Sequence, residues 1–269
     1  MKPYVVLEKK VGETPLDVVE KLKEVQPELK DQPVAYAGRL DPMASGKLLL
    51  LIGDECKKQK DYHGLDKAYR FEVMLGTSSD TGDVLALLDW KKSLVVDESS
   101  LVSAIKKLVG KLSLPYPKFS SKTVQGKPLH LWTLENKLDE IEIPTADTEV
   151  YKLKLISLRS ENSKDVFEHV SEKIETIPPV TDESKALGAD FRREDVRMDW
   201  QVWYENHRKQ EVQIATFEAV VSSGTYIRSL APEIAKLVGT TGLAYSIHRT
   251  EIGRYQPLPF NLGFWQKHY

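Results

Sequence analysis

The run Ala35-Tyr36-Ala37-Gly38-Arg39-Leu40-Asp41-Pro42-Met43-Ala44-Ser45-Gly46-Lys47-Leu48-Leu49-Leu50-Leu51-Ile52 decides how the rest of the chain is read. Asp41 stands between two glycines and directly before a proline. Pro42 steers Asp41 away from helical angles, so its carboxylate is presented from an extended or turn backbone. Gly38 and Gly46 permit a tight turn or the close approach of another backbone. Leu48 to Ile52, closed by Gly53-Asp54, predicts a short strand buried on both faces. An acid on a constrained loop leading into a buried strand is a common mount for a catalytic group. The same residues also satisfy a plain Asx turn, and the loop by itself favours that reading.

Around this stretch lie 269 residues, enough for one large domain or two small ones. A hydrophobic content of 41% supports a sizeable core, and 29% charged residues fit a soluble protein. No apolar run approaches the roughly 20 residues a membrane span needs, and the N-terminus lacks the apolar region of a signal peptide. Cys56 is the only cysteine, which excludes intrachain disulfides and cysteine-based zinc sites and points to a reducing, cytoplasmic setting. The net charge of −2 argues mildly against a nucleic-acid partner, but the charge is uneven. Lys57, Lys58, Lys60, Lys67 and Arg70 outnumber Asp61 and Asp66, which makes a phosphate-contacting edge plausible there beside the plainer reading of a solvated face. Lys118, Lys122 and Lys127 are interleaved with Tyr116 and Phe119, a pattern that suits phosphate pairing and base stacking as well as it suits a structured loop.

Taken in order, Tyr4 to Glu8 predict a strand, and Thr14-Pro15-Leu16-Asp17 predict a capped helix start. Val18, Leu22 and Val25 share that helix's apolar face, and Pro27 stops it. Alternation from Ala68 to Leu75 places Tyr69 with Phe71, Val73 and Leu75 on a core-facing side. Asp80 and Asp83 fall in the polar turn Gly76 to Asp83. A metal reading lacks further ligands, so a turn with local backbone hydrogen bonds is expected. A helix capped by Asp97 or Ser99 carries Leu101, Ile105 and Leu108 and ends at Gly110. Tyr151, Leu153, Leu155 and Leu158 indicate a strand. Residues 160–206 are charged, hold a short helix around Val166, Phe167, Val170 and Ile174, and read as an insertion or appended lobe. Residues 211–221 alternate as a strand, and Ile227, Leu230, Ile234 and Leu237 recur at helical spacing. Pro232 would break a helix begun at Thr225, so Ser229 is expected as the cap, with Arg228 projecting from the turn before it. A final strand runs from Ser246 to Tyr255.

The string Gly38 to Gly46 resembles the G-x-L-D-P-x-A-[ST]-G signature of the bacterial TruB-type tRNA pseudouridine synthases. Three more segments fall in that family's order: Lys67-Ala68-Tyr69-Arg70-Phe71, Gly76 to Asp83, and Gly224-Thr225-Tyr226-Ile227-Arg228-Ser229. The resemblance covers roughly residues 4–135 and 211–256. It implies an α/β (α+β) pseudouridine synthase fold, with a mixed, mostly antiparallel central sheet flanked by helices. Residues 1–269 would form one catalytic domain, interrupted by the divergent insertion at 160–206. The short stretch after Tyr255 leaves no room for the C-terminal PUA domain that many members carry.

The resemblance further implies isomerisation of uridine to pseudouridine, with the T-loop uridine of tRNA as the target. Asp41 would be the catalytic aspartate, Arg228 its partner, and Tyr69 the ring that stacks on the base near C5. An opposite charge a few ångströms away keeps such an aspartate ionised. Tyr226 and Ile247 match positions lining the same pocket, and Tyr36, Gly38, Arg39, Leu40 and Lys67 complete the substrate-binding set. The reaction needs no metal, redox cofactor or nucleotide. The partner implied is RNA, through the tRNA T-arm, bound by a cytoplasmic monomer with no membrane contact and no obligate protein partner. One position departs from the pattern: Tyr36 stands where the family usually has a histidine that fills the space left by the flipped base. A tyrosine can stack there but cannot carry the imidazolium's charge. Two alternatives remain, the same chemistry on a different RNA and a catalytically silent RNA-binding or tRNA-folding protein on this scaffold. Metal-dependent hydrolysis lacks a ligand set.

Overall fold

In the computed structural model, which describes residues 2–90, 94–179, 189–259 and 262–269, the chain opens with strand β1 (Tyr4–Lys9) and helix α1 (Pro15–Val25). The expected capping box forms: Thr14 Oγ1 accepts from the Asp17 N–H at 3.2 Å and Asp17 Oδ2 accepts from the Thr14 N–H at 2.6 Å. Val18 and Leu22 are buried, whereas Val25, expected on the same face, is exposed. There follow β2 (Val34–Tyr36), β3 (Ala44–Ile52), α2 (Gln59–His63), β4 (Asp66–Leu75) and the hairpin of β5 (Thr77–Ser79) with β6 (Leu88–Trp90). Next come α3 (Glu98–Ile105), β7 (Gly110–Pro115), the hairpin of β8 (Thr123–Val124) with β9 (Lys127–Pro128), α4 (Leu129–Leu134) and β10 (Thr145–Asn162). Helices α5 (Ser163–Thr176) and α6 (Ala189–His207), strand β11 (Glu211–Val221), helix α7 (Ile227–Leu237) and strands β12 (Gly242–Leu258) and β13 (Leu262–His268) complete the order.

One sheet organises the molecule, in the order β1-β3-β12-β4-β11-β10-β7, with β2 also on β3 and β13 also on β12. Every pairing in it is antiparallel except that of β12 with β3. It is the mixed, mostly antiparallel sheet expected. β4 lies at its centre, with Phe71 opposite Ile247 on one side and Phe217 on the other, and the two phenylalanine rings stack at 5.4 Å. β3 begins four residues before the leucine run, and its leucines are buried on both faces as read. Leu48 and Leu50 pack with Val18 and Leu22 of α1, while Leu49 and Leu51 pack with Leu65 and Ile252.

Two expectations are corrected. Residues 160–206 do not stand off as a lobe: β10 runs to Asn162, and α5 and α6 belong to the main core. Val166, Val170 and Ile174 join Trp200 and Trp203 in the cluster that contains Phe71 and Phe217. Both indoles are fully buried and donate, Trp200 Nε1 to Val84 O at 2.9 Å and Trp203 Nε1 to Thr77 Oγ1 at 3.1 Å. The charged residues that dominate the composition of α6 flank this narrow aromatic seam. The second correction concerns α7. Its N-cap is Tyr226, whose carbonyl accepts from Ser229 and Leu230 N–H groups at 3.0 Å, so Pro232 lies inside the helix. A proline there removes the bond to the Arg228 carbonyl and costs about 3 kcal/mol. Burial of Ile227, Leu230, Ala231, Ile234 and Ala235 on one face offsets it.

Candidate active site

The Asp41 loop is held in place from β12. At Gly46 a Cβ would lie 2.3 Å from the Arg249 carbonyl oxygen, so only glycine allows β3 to approach β12 this closely. Arg249, only 1% exposed, also reaches both ends of the loop through its side chain. Its Nε donates to Lys47 O at 2.7 Å, Nη1 to Arg39 O at 3.2 Å and Nη2 to Gly38 O at 3.4 Å. Asp41 itself closes a turn, its carbonyl accepting from the Ala44 N–H at 3.0 Å. The expected roles of Gly38 and Arg39 thus have a structural side, since their carbonyls anchor the loop to Arg249. Sequence reading missed Arg249. The signal was a basic residue two positions after Ile247, in core register with it on the strand.

From this loop the Asp41 side chain, 39% exposed, meets Arg228, which is 6% exposed in the first turn of α7. The contact is two-pronged: Arg228 Nε donates to Asp41 Oδ2 at 2.7 Å and Nη2 to Oδ1 at 3.2 Å. Arg228 Nη1 donates to Thr81 O at 3.2 Å and Nη2 also to Phe119 O at 3.4 Å. A second carboxylate, Asp83 Oδ2, lies 3.5 Å from Nε. Asp83 accepts from Thr81 Oγ1 at 2.8 Å and the Leu85 N–H at 2.9 Å. The turn expected to be held by local bonds alone therefore also packs a buried acid behind the arginine. It docks tightly, because a Cβ at Gly82 would lie 2.3 Å from the Arg228 carbonyl oxygen.

Burial works against the charge on Arg228, but the two flanking carboxylates overcome it and raise its pKa above the usual value. Burial pushes the Asp83 carboxyl up, against the pull of Arg228. The result is a rigid, permanently cationic fork whose open side presents one partly exposed carboxylate. Such a carboxylate can act as a nucleophile or as a base, and the arginine fixes its orientation.

The apolar residues expected of the site belong to the main core. Tyr69 (9% exposed), Leu40, Ile247 and Ile227 belong to one cluster with Met43 and Ala44. Tyr226 caps α7 half-buried, its ring edge-on to Tyr116 at 5.6 Å, and burial raises its phenol pKa. Two expected residues are tied into the fold, and the Lys67 Nζ lies 4.0 Å from where a Cβ on Gly38 of the Asp41 loop would stand. Lys67 shares Tyr69's face of β4 and is buried, donating from Nζ to Leu65 O at 2.5 Å and to Ser223 Oγ at 3.4 Å. Burial lowers its pKa to about 8. Tyr36 packs against the small core under α1 that holds Leu48 and Leu50. Among the described residues no group of three or more His, Cys, Asp or Glu is placed to hold a metal ion.

The fold is thus a mostly antiparallel mixed sheet carrying an aspartate loop paired to an arginine in the first turn of a helix. The family model described as TruB family pseudouridylate synthase (N terminal domain) matches residues 27–176, and the chain belongs to that family. The tRNA pseudouridine synthase B of Caldicellulosiruptor saccharolyticus is 26% identical over 265 residues, covering 98% of this chain and 72% of that protein. The protein of that name from Aquifex aeolicus is 26% identical over 252 residues, covering 94% and 69%. The tRNA pseudouridine synthase 4 of Saccharomyces cerevisiae is 29% identical over 234 residues, covering 76% and 56%. In fold, a chain in the crystal structure of a Cbf5-Nop10-Gar1 complex superposes with a TM-score of 0.55 at 16% identity, covering 93% of this chain. This chain spans about half, 48%, of that one. The family match reaches through α5, which agrees with the place of that helix in the core.

Proposed function

We propose that this protein isomerises a uridine of RNA to pseudouridine, with the T-loop uridine of tRNA as its target, in the cytoplasm. The observation that carries the reading is the Asp41–Arg228 pair, a carboxylate open on one side and clamped on the other. The reaction breaks the C1′–N1 bond of uridine, turns the uracil and joins C1′ to C5, releasing the C5 hydrogen. It needs a nucleotide flipped out of its stack, an acid–base or nucleophilic group at the sugar, and a surface that retains the detached base.

In this reading Asp41 is the reacting carboxylate and Arg228 keeps it aimed. Tyr69 offers a ring to the uracil near C5, with Leu40, Ile247 and Tyr226 forming the walls of the pocket. Binding energy from base–aromatic stacking, worth about 1–3 kcal/mol per base, retains the uracil while it turns. Basic side chains beyond the pocket, including Lys118 and Lys122 beside the Tyr116 segment, meet phosphates. The bacterial relatives, named as tRNA pseudouridine synthases, favour tRNA over another RNA as substrate. Carbodiimide mapping of tRNA from cells with and without the gene tests this. The T-loop stop should vanish on deletion and return on complementation. Its persistence after deletion, or a lost stop in a different RNA, would assign another substrate.

A further inference from the structure

We propose that Arg192, on α6, is a positioning residue that holds the Arg228–Asp41 pair in its working geometry through the Asp80–Thr81 turn and Phe119. The inference rests on the functional reading above and extends it to a segment that sequence alone read as an insertion or appended lobe.

Arg192 grips two separate pieces of chain. Its guanidinium forks the Asp80 carboxylate, Nη1 to Oδ2 at 2.6 Å and Nη2 to Oδ1 at 3.3 Å, and lies 4.5 Å over the centre of the Phe119 ring. These two pieces carry the neutral acceptors that orient Arg228. Thr81, the neighbour of Asp80, accepts Nη1 through its carbonyl at 3.2 Å, and Phe119 accepts Nη2 through its own at 3.4 Å. Asp80 transmits the contact firmly, because its N–H donates to Leu87 O at 3.1 Å and its Oδ1 accepts from the Leu87 N–H at 3.2 Å. Arg192 thus grips the residue before one of these carbonyls and the ring of the residue that bears the other.

Three features mark the contact as built for this purpose. The side chains of Arg192 and Asp80 are 21% and 29% exposed, so water screens their pairing only in part. Arg192 has φ of 61°, a left-handed conformation that a side-chain-bearing residue adopts when its surroundings impose it. The geometry also needs arginine. Only a planar fork can pair bidentately with a carboxylate and stack on a ring at once, whereas a lysine ammonium offers a point charge. Losing this brace frees the Thr81 and Phe119 carbonyls to drift, and Arg228 then ceases to fix the direction of the Asp41 carboxylate. Small misplacement of a reacting group costs up to about 100-fold in rate.

The test uses the full chain with a tRNA T-arm stem-loop carrying [5-³H]uridine, since joining C1′ to C5 releases the tritium. Single-turnover rates at saturating RNA should fall about 10- to 100-fold in Arg192→Ala, with the RNA dissociation constant within about twofold of the parent. Arg192→Lys should recover little of the rate, and Phe119→Leu should slow the step as well. The double variant Arg192→Ala/Phe119→Leu should be no slower than the slower single change, because both act through one contact. A second readout is independent of turnover: by ¹⁵N-arginine NMR, solvent exchange of the Arg228 Nε proton should quicken at least about tenfold in Arg192→Ala. Unchanged rate and unchanged exchange in Arg192→Ala overturn the proposal. So does full rescue by lysine, or multiplicative losses in the double variant. If Arg192→Ala fails to fold, Arg192→Lys and Phe119→Leu carry the comparison. A parent protein that releases no tritium would instead retire the functional reading, and the exchange measurement would still decide the role of Arg192.

Discussion

Arg228 sits between two carboxylates, and the two contacts differ in what they do. The pairing with Asp41 faces outward, where the proposed chemistry would occur, whereas Asp83 is buried behind the guanidinium and balances its charge. Arg228→Ala should therefore abolish turnover and also destabilise the fold by about 3–5 kcal/mol, because the buried Asp83 carboxylate loses its counter-ion. Replacing both, as Arg228→Met with Asp83→Leu, should recover part of that stability in urea melts and none of the activity. Equal stability of the parent and Arg228→Ala would show that Asp83 does not depend on the arginine. Tyr69 has the same double character, since it lies 9% exposed within the main core. Tyr69→Phe should keep fold and RNA affinity while slowing the chemical step. Tyr69→Ala should lower the thermal midpoint and weaken RNA binding as well. A Phe variant with full single-turnover rate would leave Tyr69 a packing residue only.

Helices α5 and α6 close one side of the central sheet, and Trp200 and Trp203 are the residues that fasten them. Trp200→Ala should cost about 3–5 kcal/mol, since it empties a fully buried indole site and leaves the Val84 carbonyl without its donor. Excising residues 160–206 should yield protein without a cooperative thermal transition. A folded, active deletion product would restore the view of this segment as an appendage. The sequence hid that role for a physical reason. Trp200 stands between Asp199 and Gln201, and Arg193, Glu194, Asp195 and Arg197 precede it, so the apolar seam is narrow and charge dominates the helix's sequence. The Asp41 loop and β4 were legible because their evidence is local. A proline, two glycines and a leucine run define the loop, and strict alternation from Tyr69 to Val73 defines the strand. Asp41 and Arg228 could be paired beforehand only through family resemblance. Asp83, Arg249 and Arg192 act through contacts between segments far apart in the chain, which no local period encodes. Tyr226 rather than Ser229 caps α7 because burial of its apolar face outweighs the bond that Pro232 removes.

Across the whole molecule, charge is placed in depth as well as over the surface. Lys67 and Lys173 are largely enclosed, and burial lowers both ammonium groups to about 8. Between pH 8 and 10.5 the unfolded chain holds more protons than the native one at these sites, so their contribution to stability improves as pH rises through that window. Lys67→Met should accordingly gain stability over the parent at pH 7, and the gain should shrink towards pH 10 in paired thermal melts. A constant difference at all pH values would mean that Lys67 titrates as if exposed. At the surface, RNA affinity should fall with salt despite the net charge of −2, each phosphate contact adding about 0.7–0.9 to the log–log slope. Lys118→Ala and Lys122→Ala should lower that slope without changing which uridine reacts, and unchanged slopes would place the RNA elsewhere. All of this presumes that the carboxylate clamped by Arg228 turns uridine into pseudouridine. The direct measurement is single-turnover conversion of a T-arm RNA by purified protein, mapped to the nucleotide with carbodiimide, for the parent and for Asp41→Asn. The account predicts one modified uridine in the T-loop with the parent and none with Asp41→Asn at matched RNA binding; conversion by Asp41→Asn at more than a few per cent of the parent rate would contradict it.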